Sequence, residues 1–187
     1  MDHLKYFERI SYIPENDNIL DRLFAIHTQH ALKIPFENLD IILGKPISLN
    51  TDDIFEKIVI QNRGGYCYEL NGLFYELLIS LGYKVELLLA RMMFGINDIT
   101  HRSHQILLVT IDNMKYIADV GYRNGLIAPI PVILDNEEQQ FSEKFRVVRK
   151  DEFILQKMSK DGWINLYSFT IEPYLPIDYT ALNYYNS

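Results

Sequence analysis

The spacing of apolar residues changes once along the chain, from a period near 3.6 before Gly82 to a period of 2 after it. In the first stretch Leu4, Phe7, Ile10 and Ile13 predict a short amphipathic helix stopped by Pro14. Asn16 or Asp17 is placed to cap a second helix whose stripe holds Ile19, Leu20, Leu23, Phe24 and His27. Ile34-Pro35-Phe36-Glu37-Asn38-Leu39-Asp40 reads as an irregular link, because proline forbids helix continuation. Asn50 or Thr51 caps the next helix, through Ile54, Ile58 and Val59, which delivers the chain to Arg63-Gly64-Gly65. From there Cys67, Leu70, Asn71, Phe74, Leu77 and Leu81 share one helix face, and Gly82 supplies a left-handed stop.

Beyond Gly82 the alternation predicts strands over 84–90, 105–111, 115–120, 145–148, 152–158 and 163–171. Asp112-Asn113 and Lys160-Asp161-Gly162 are the turn signals between them. Helices first and strands second, with no βαβ alternation, argue against a doubly wound fold. The expectation is an α+β protein in which an N-terminal helical bundle over 1–83 is followed by an antiparallel β-barrel over 84–187.

Composition narrows the partners. The chain of 187 residues is 48% hydrophobic, enough for one compact domain or two small ones. Its formal charge of −7 argues against nucleic acid as a general partner, since phosphate backbones select basic surfaces. A single cysteine excludes an internal disulfide and a cysteine-rich zinc site. The start, Met1-Asp2-His3-Leu4-Lys5, lacks the apolar core of a signal peptide, and no apolar run approaches the ~20 residues of a membrane span. A soluble, cytoplasmic protein with no membrane partner is expected.

That one cysteine sits at the start of the best-patterned helix. Backbone N–H groups and the helix dipole favour an anion there, and the thiolate is the nucleophilic form of cysteine. A lone cysteine is more often a small buried hydrophobe, so the reading needs a base. A nucleophilic thiol works with a histidine, which is oriented in turn by Asp or Asn. His3, His27 and His30 lie in the first helices, where a histidine on a stripe is more often a hydrogen-bonded core residue than a ligand. His101 and His104 flank a strand.

Register chooses between these two. A two-residue turn at Asp112-Asn113 sets Ile111 opposite Met114, hence Ile106 opposite Asp119 and His104 opposite Gly121. His104 and Asp119 then share a face and lie diagonally, within side-chain reach, whereas His101 points away. A three-residue turn would invert the parity. An acid inside the apolar run Tyr116-Ile117-Ala118-Asp119-Val120 needs a partner, because an unpaired inward carboxylate is costly. Cys67 as nucleophile, His104 as base and Asp119 as orienter form the candidate constellation, a core of the cysteine-protease type.

Arg63-Gly64-Gly65-Tyr66-Cys67-Tyr68-Glu69-Leu70-Asn71 resembles the nucleophile motif of arylamine N-acetyltransferases, Arg-Gly-Gly-x-Cys-x-Glu-x-Asn. Pro35-Phe36-Glu37-Asn38, the strand that His104 leads, Asp119-Val120-Gly121-Tyr122 and Phe169-Thr170-Ile171-Glu172-Pro173 resemble further landmarks of that family, in the same order. The family's Cys-His-Asp triad falls on Cys67, His104 and Asp119. The resemblance implies ping-pong transfer of acetyl from acetyl-CoA, as co-substrate, to an arylamine, arylhydrazine or N-hydroxyarylamine, a thioester exchange for which no metal is expected. It also implies Tyr122 and Phe36 as substrate contacts and Asn71 as hydrogen-bonding support, with Arg63 and Glu69 bracing the loop as an ion pair.

The chain departs from the family pattern at two places. Arg123 and Asn124 stand in a turn that is glycine-rich in the family, where Arg123 either meets a CoA phosphate or crowds the cleft. The sequence stops at Asn183-Tyr184-Tyr185-Asn186-Ser187, near the landmark at which family members begin a third, mixed α/β domain. The resemblance therefore implies the first two domains without the third, and an open cleft with easier entry of water. Apolar surface exposed there would suit a homo-oligomer or another partner. A hydrolase acting on acyl thioesters and a shortened relative that only binds are the rival readings.

Overall fold

The computed structural model describes residues 1–15, 18–96 and 98–187. Helices come first: α1 (His3–Ile10), α2 (Ile19–Lys33), α3 (Leu39–Ile42), α4 (Thr51–Phe55) and α5 (Cys67–Ser80). A π-helical turn, Glu56–Ile60, continues α4. Eight strands follow: β1 (Lys84–Met92), β2 (His104–Ile111), β3 (Met114–Ala118), β4 (Ile130–Pro131), β5 (Glu138–Gln140), β6 (Glu143–Arg149), β7 (Phe153–Ser159) and β8 (Gly162–Phe169). A last helix, α6 (Asp178–Asn186), returns to the helical layer, where Tyr179 and Asn183 are buried.

The helix pattern holds with local corrections. α1 ends at Ser11, whose φ of 55° turns the chain before Pro14 is reached. Its buried face is Tyr6, Phe7 and Ile10, while Leu4 and Ile13 stand in solvent. The expected caps Asn16 and Asp17 lie outside the described residues; Asn18 caps α2 by accepting from the Asp21 N–H at 2.9 Å. The buried stripe of α2 runs through Leu23, Ile26, His27 and His30, so it is rotated away from Ile19. Asn50 caps α4, accepting from Asp52 and Asp53. In the π-helical turn the Ile58 carbonyl accepts from Arg9 Nε at 2.9 Å, a partner supplied by α1. α5 is buried nearly all round and ends before Gly82, which takes φ +85° as the stop signal requires.

All eight strands belong to one antiparallel sheet of order β4-β3-β2-β1-β8-β7-β6-β5. Its two edges approach each other. Asp135 N–H donates to Val147 O at 2.9 Å, and the Gln140 side chain accepts from the N–H groups of Ile127 and Ala128. The sheet therefore curls into a nearly closed barrel, and few ladder donors are left at an edge. Both faces of β1 and β2 are apolar, with one parity against the helices and the other inside the barrel. Val85, Leu87, Leu107 and Val109 pack with α5, while Leu88, Ala90, Ile106 and Leu108 pack with β7 and β8. β4, β5 and α6 are additions to the pattern read from the sequence.

The β2–β3 hairpin turns on Asp112 and Asn113, both with positive φ, and sets Ile111 opposite Met114 as expected. The ladder stops at Leu107 opposite Ala118, so the expected pairings of Ile106 with Asp119 and of His104 with Gly121 do not form. Side chains capture the backbone donors instead. Asp119 N–H goes to His27 Nε2 and Val120 N–H to Asn71 Oδ1, which draws the chain off the sheet toward the helices.

Candidate active site

Cys67 is the first residue of α5, half-buried and a free thiol. Its place is set by backbone pairing. Glu37 N–H donates to Gly65 O at 2.9 Å and Gly65 N–H to Pro35 O, a short parallel bridge between the 34–40 link and the approach to the helix. Gly64 is required for that closeness, because a Cβ there would fall 2.1 Å from Pro35 O. Glu69 reaches back to accept the Tyr66 N–H at 3.0 Å, which closes the first turn of α5. The tyrosines on either side of the thiol are held from α6 and the 100–103 loop. Tyr66 bonds Asn183, and Tyr68 bonds Ser103 O and Asn186.

His104 opens β2 and Asp119 follows β3, where both are buried. Asp119 Oδ2 lies 2.8 Å from His104 Nε2. The other carboxylate oxygen accepts from Asn71 Nδ2 at 2.9 Å and from Gly121 N–H at 3.0 Å. Asn71 is one turn past Cys67 on the same face of α5, and it also donates to Gln105 O at 2.6 Å. Burial opposes charge on both partners. The attraction and hydrogen bond between them outweigh it, so His104 is raised to about 10 and Asp119 is held below its ordinary value. Cys67 is the ring's other polar neighbour and adds to that upward shift. The rings of Tyr122 and Tyr167 flank the imidazole at 5.6 and 5.5 Å.

Gly121 completes the contact between the two halves. A Cβ at this position would stand 2.6 Å from Asn71 Nδ2 and 2.9 Å from Cys67 Cα and O. The arrangement therefore puts a thiol, a charged imidazole and a buried carboxylate in series, at the mouth of a barrel covered by the start of α5. Such a series can generate a thiolate and move a proton to or from whatever the thiolate attacks.

Comparisons with known proteins give the family. A family model described as N-acetyltransferase matches residues 19–187. The arylamine N-acetyltransferase of Mycobacterium tuberculosis is 36% identical over 196 residues, spanning 100% of this chain and 69% of that one. The chain belongs to the arylamine N-acetyltransferase family. The arylamine N-acetyltransferase of Escherichia coli K12 is 35% identical over 185 residues, spanning 97% of this chain and 66% of that one. Among solved structures, the Salmonella typhimurium arylamine N-acetyltransferase superposes with TM-score 0.92 at 32% identity, over 98% of this chain and 68% of that one. The Mycobacterium marinum arylamine N-acetyltransferase in complex with CoA gives 0.90 at 32%, over 98% and 70%. The chain spans about two thirds of the length of these relatives.

Within this member of the arylamine N-acetyltransferase family, the expected substrate contacts fall together. Phe36, Tyr122 and Arg123 line one cavity of about 440 Å³, and Tyr122 and Arg123 also border an adjoining one of about 890 Å³. Arg123 is exposed and has ordinary backbone geometry, while Asn124 takes φ +62°. Asparagine tolerates that left-handed conformation, so the turn closes here without a glycine at this position.

The expected pair of Arg63 and Glu69 does not form. Arg63 Nη2 meets Glu37 at 2.7 Å and Nη1 meets Asp40 at 2.9 Å, across the 34–40 link. Glu69 is paired instead by Lys57, at 2.7 Å, and Lys57 also meets Asp40 at 2.9 Å. The Lys57 hydrogen bond is the largest reason that Asp40 is held at about 2, with Arg63 adding to it against burial. The sequence placed Arg63 and Glu69 six residues apart with opposite charges, but the link folds back between them and takes the guanidinium. Lys57, Asp40 and Arg9 are supports that the sequence did not single out, whereas His27 is the hydrogen-bonded core histidine it was read as. His27 stood on a buried stripe, which called for a partner without naming one.

Proposed function

We propose that the protein transfers an acetyl group from acetyl-CoA to an arylamine, arylhydrazine or N-hydroxyarylamine through an acetyl-Cys67 thioester. The observation that carries this is a buried His104 whose Nε2 is 2.8 Å from Asp119 and whose ring interacts with Cys67 at the start of α5. Nδ1, the nitrogen that Asp119 does not take, serves the thiol. In the first half-reaction the Cys67 thiolate attacks the acetyl carbonyl, the carbon–sulfur bond to CoA breaks, and His104 protonates the departing CoA thiolate. In the second, the amine nitrogen attacks the thioester, His104 takes a proton from it, and the Cys67 thiolate leaves. Asp119 orients the ring throughout and stabilises it in the charged form that precedes the first proton transfer and follows the second. The helical part thus supplies the nucleophile, and the barrel supplies the base and its orienter.

We assign Phe36 and Tyr122 to the acceptor pocket and Arg123, which lines the same cavity, to a coenzyme phosphate. Support for the donor and acceptor comes from the relatives, which are named arylamine N-acetyltransferases, and from the Mycobacterium marinum structure in complex with CoA.

The test is intact mass spectrometry after brief incubation with acetyl-CoA, beside Cys67→Ala. Gain of one acetyl group that requires Cys67 and is discharged by an aromatic amine is expected. A folded wild type that takes up no acetyl, or a Cys67→Ala protein that takes up as much, overturns the proposal. Discharge by water as fast as by amine would make the protein a thioester hydrolase instead.

A further inference from the structure

The segment from Asp119 to Ala128 carries the orienter Asp119, the glycine against Cys67 and the cavity residues Tyr122 and Arg123, yet it lies outside every strand. One side chain from another layer holds both of its ends. His27 of α2 is fully buried, with Nε2 3.1 Å from the Asp119 peptide nitrogen and Nδ1 3.1 Å from Ile127 O. An amide can only donate and a carbonyl can only accept, so the ring is neutral and carries its hydrogen on Nδ1. Gln140 grips the far end beside it, bonding both polar groups of Ala128. The carboxylate of Asp119 has its own partners in His104, Asn71 and Gly121, and among the described residues the hydrogen bond of its peptide N–H goes to His27.

We propose that His27 is a positioning residue for the reaction: by accepting from Asp119 N–H and donating to Ile127 O, it fixes where the Asp119 carboxylate meets His104 and where the Tyr122 wall stands. The inference rests on the roles proposed above for Cys67, His104 and Asp119. It acts through a chain of named contacts. Rotation of the Asp119 peptide would carry its carboxylate off His104 Nε2, and a less firmly paired imidazole would sustain less thiolate on Cys67.

The titratable groups around this chain come from several elements. Around the Cys67–His104 pair stand Asp119, Tyr122 and Tyr167 from the barrel, and Tyr66, Tyr68 and Glu69 at the start of α5. Around His27 stand His30 on its own helix and Asp119, with the Phe74 ring of α5 packed edge-on. Tyr6 and Arg9 of α1 lie beyond His30.

Two polar replacements separate positioning from packing. Glutamine sets its amide near the place of Nε2, so His27→Gln can still accept from Asp119 N–H. Asparagine sets its amide near Nδ1, so His27→Asn can serve Ile127 O but leaves Asp119 N–H unanswered. The readout is the pH profile of iodoacetamide alkylation, followed by intact mass; Cys67 is the sole cysteine, so every thiol adduct reports on it.

We expect His27→Gln to keep a profile within about threefold of wild type, and His27→Asn to react roughly tenfold more slowly at neutral pH. A His27→Asn profile that superimposes on wild type, with only the melting temperature lowered, overturns the proposal, as does an equal shift in both variants. Nitrogen chemical shifts of the wild-type imidazoles supply a test that no variant's folding can spoil, since a charged His27 or one protonated on Nε2 at neutral pH overturns it too. Wild type that alkylates fast without accepting acetyl from acetyl-CoA refutes the donor assignment and leaves His27 in its role. Wild type whose thiol reacts at an ordinary rate sinks both.

Discussion

Asn71 Nδ2 donates to Asp119 Oδ1 at 2.9 Å, so the helix that presents the thiol also steadies the acid behind the imidazole. Cys67 and Asn71 are four residues apart on one face of α5, and every polar atom of the asparagine side chain is engaged, with Gln105 O and Val120 N–H as its other partners. Asn71→Ala would strip buried Val120 N–H and Gln105 O of these bonds. At roughly 1–3 kcal/mol for each unsatisfied group, a loss of about 2–6 kcal/mol is expected. Urea titration measures that loss, and alkylation of Cys67 in the folded fraction should slow at neutral pH as Asp119 loosens. Unchanged reactivity alongside the lost stability would make Asn71 a packing residue only.

Lys57 is the cation that Glu69 depends on. Both side chains are largely buried, and Arg63 faces away toward Glu37 and Asp40. Removing one partner of a buried pair leaves an uncompensated charge, so Lys57→Met should cost about 3–5 kcal/mol. Arg63→Met should cost less, because Asp40 keeps Lys57 and Lys45. A double-mutant cycle settles the pairing: Lys57 with Glu69 should couple by about 1 kcal/mol or more, and Arg63 with Glu69 by less than about 0.5 kcal/mol. Coupling in the reverse order would restore the sequence-based pair.

The difference between these ion pairs shows which parts of the molecule the sequence made legible. Asp112 and Asn113 announced their turn because both need positive φ, and that turn carried parity far enough to put His104 and Asp119 on one face. The stripe from Cys67 to Leu77 was equally plain, since α5 is the centre of the helical core. The residues that finish the site were not legible. Whether Glu69 meets Arg63 or Lys57 depends on where the 34–40 link lies, and the partners of His27 lie 92 and 100 residues away in sequence. α6 carries no clear apolar stripe. Its Tyr184 and Tyr185 are exposed, and it is held through Asn183 to Tyr66 and Ile47.

Stability should peak near pH 6.5. Burial lowers His27 to about 4 in the fold, against 6.5 for the unperturbed group, so between these values the unfolded chain binds a proton that the folded chain refuses. Stability therefore falls as pH drops through that window, by up to about 1.4 kcal/mol per pH unit, and His30, shifted the same way, adds to the fall. His104 has the opposite sign. Raised to about 10, it contributes fully below 6.5 and loses its contribution as pH rises from 6.5 toward 10. The depressed Asp119 matters only at the acid end, where its contribution is lost below about 4. Calorimetry across this range should find His27→Gln flattening the acid limb while leaving the alkaline limb in place. An acid limb unchanged in that variant would mean His27 does not refuse the proton.

Gly121 packs against Cys67 and Asn71 with no room for a side chain, and the smallest enlargement there should be felt in the chemistry. A methyl group at this position would have to share space with Asn71 Nδ2 at 2.6 Å and with the Cys67 backbone at 2.9 Å. Neither neighbour can yield cheaply: Cys67 is fixed by the first turn of α5, and Asn71 by its hydrogen bonds to three groups. The segment bearing Asp119 and Tyr122 must therefore move outward, away from the thiol. A displacement near 1 Å in a reacting constellation can cost on the order of a hundredfold in rate. Gly121→Ala is expected to slow acetylation of Cys67 by about that factor in stopped-flow with acetyl-CoA. The fold should survive, because the barrel core lies elsewhere. The control is Gly72→Ala on α5, where a Cβ meets nothing within 4 Å and the rate should stay at the wild-type value. Equal rates for Gly121→Ala and Gly72→Ala would show that the close approach of Gly121 to Cys67 does not govern the reaction.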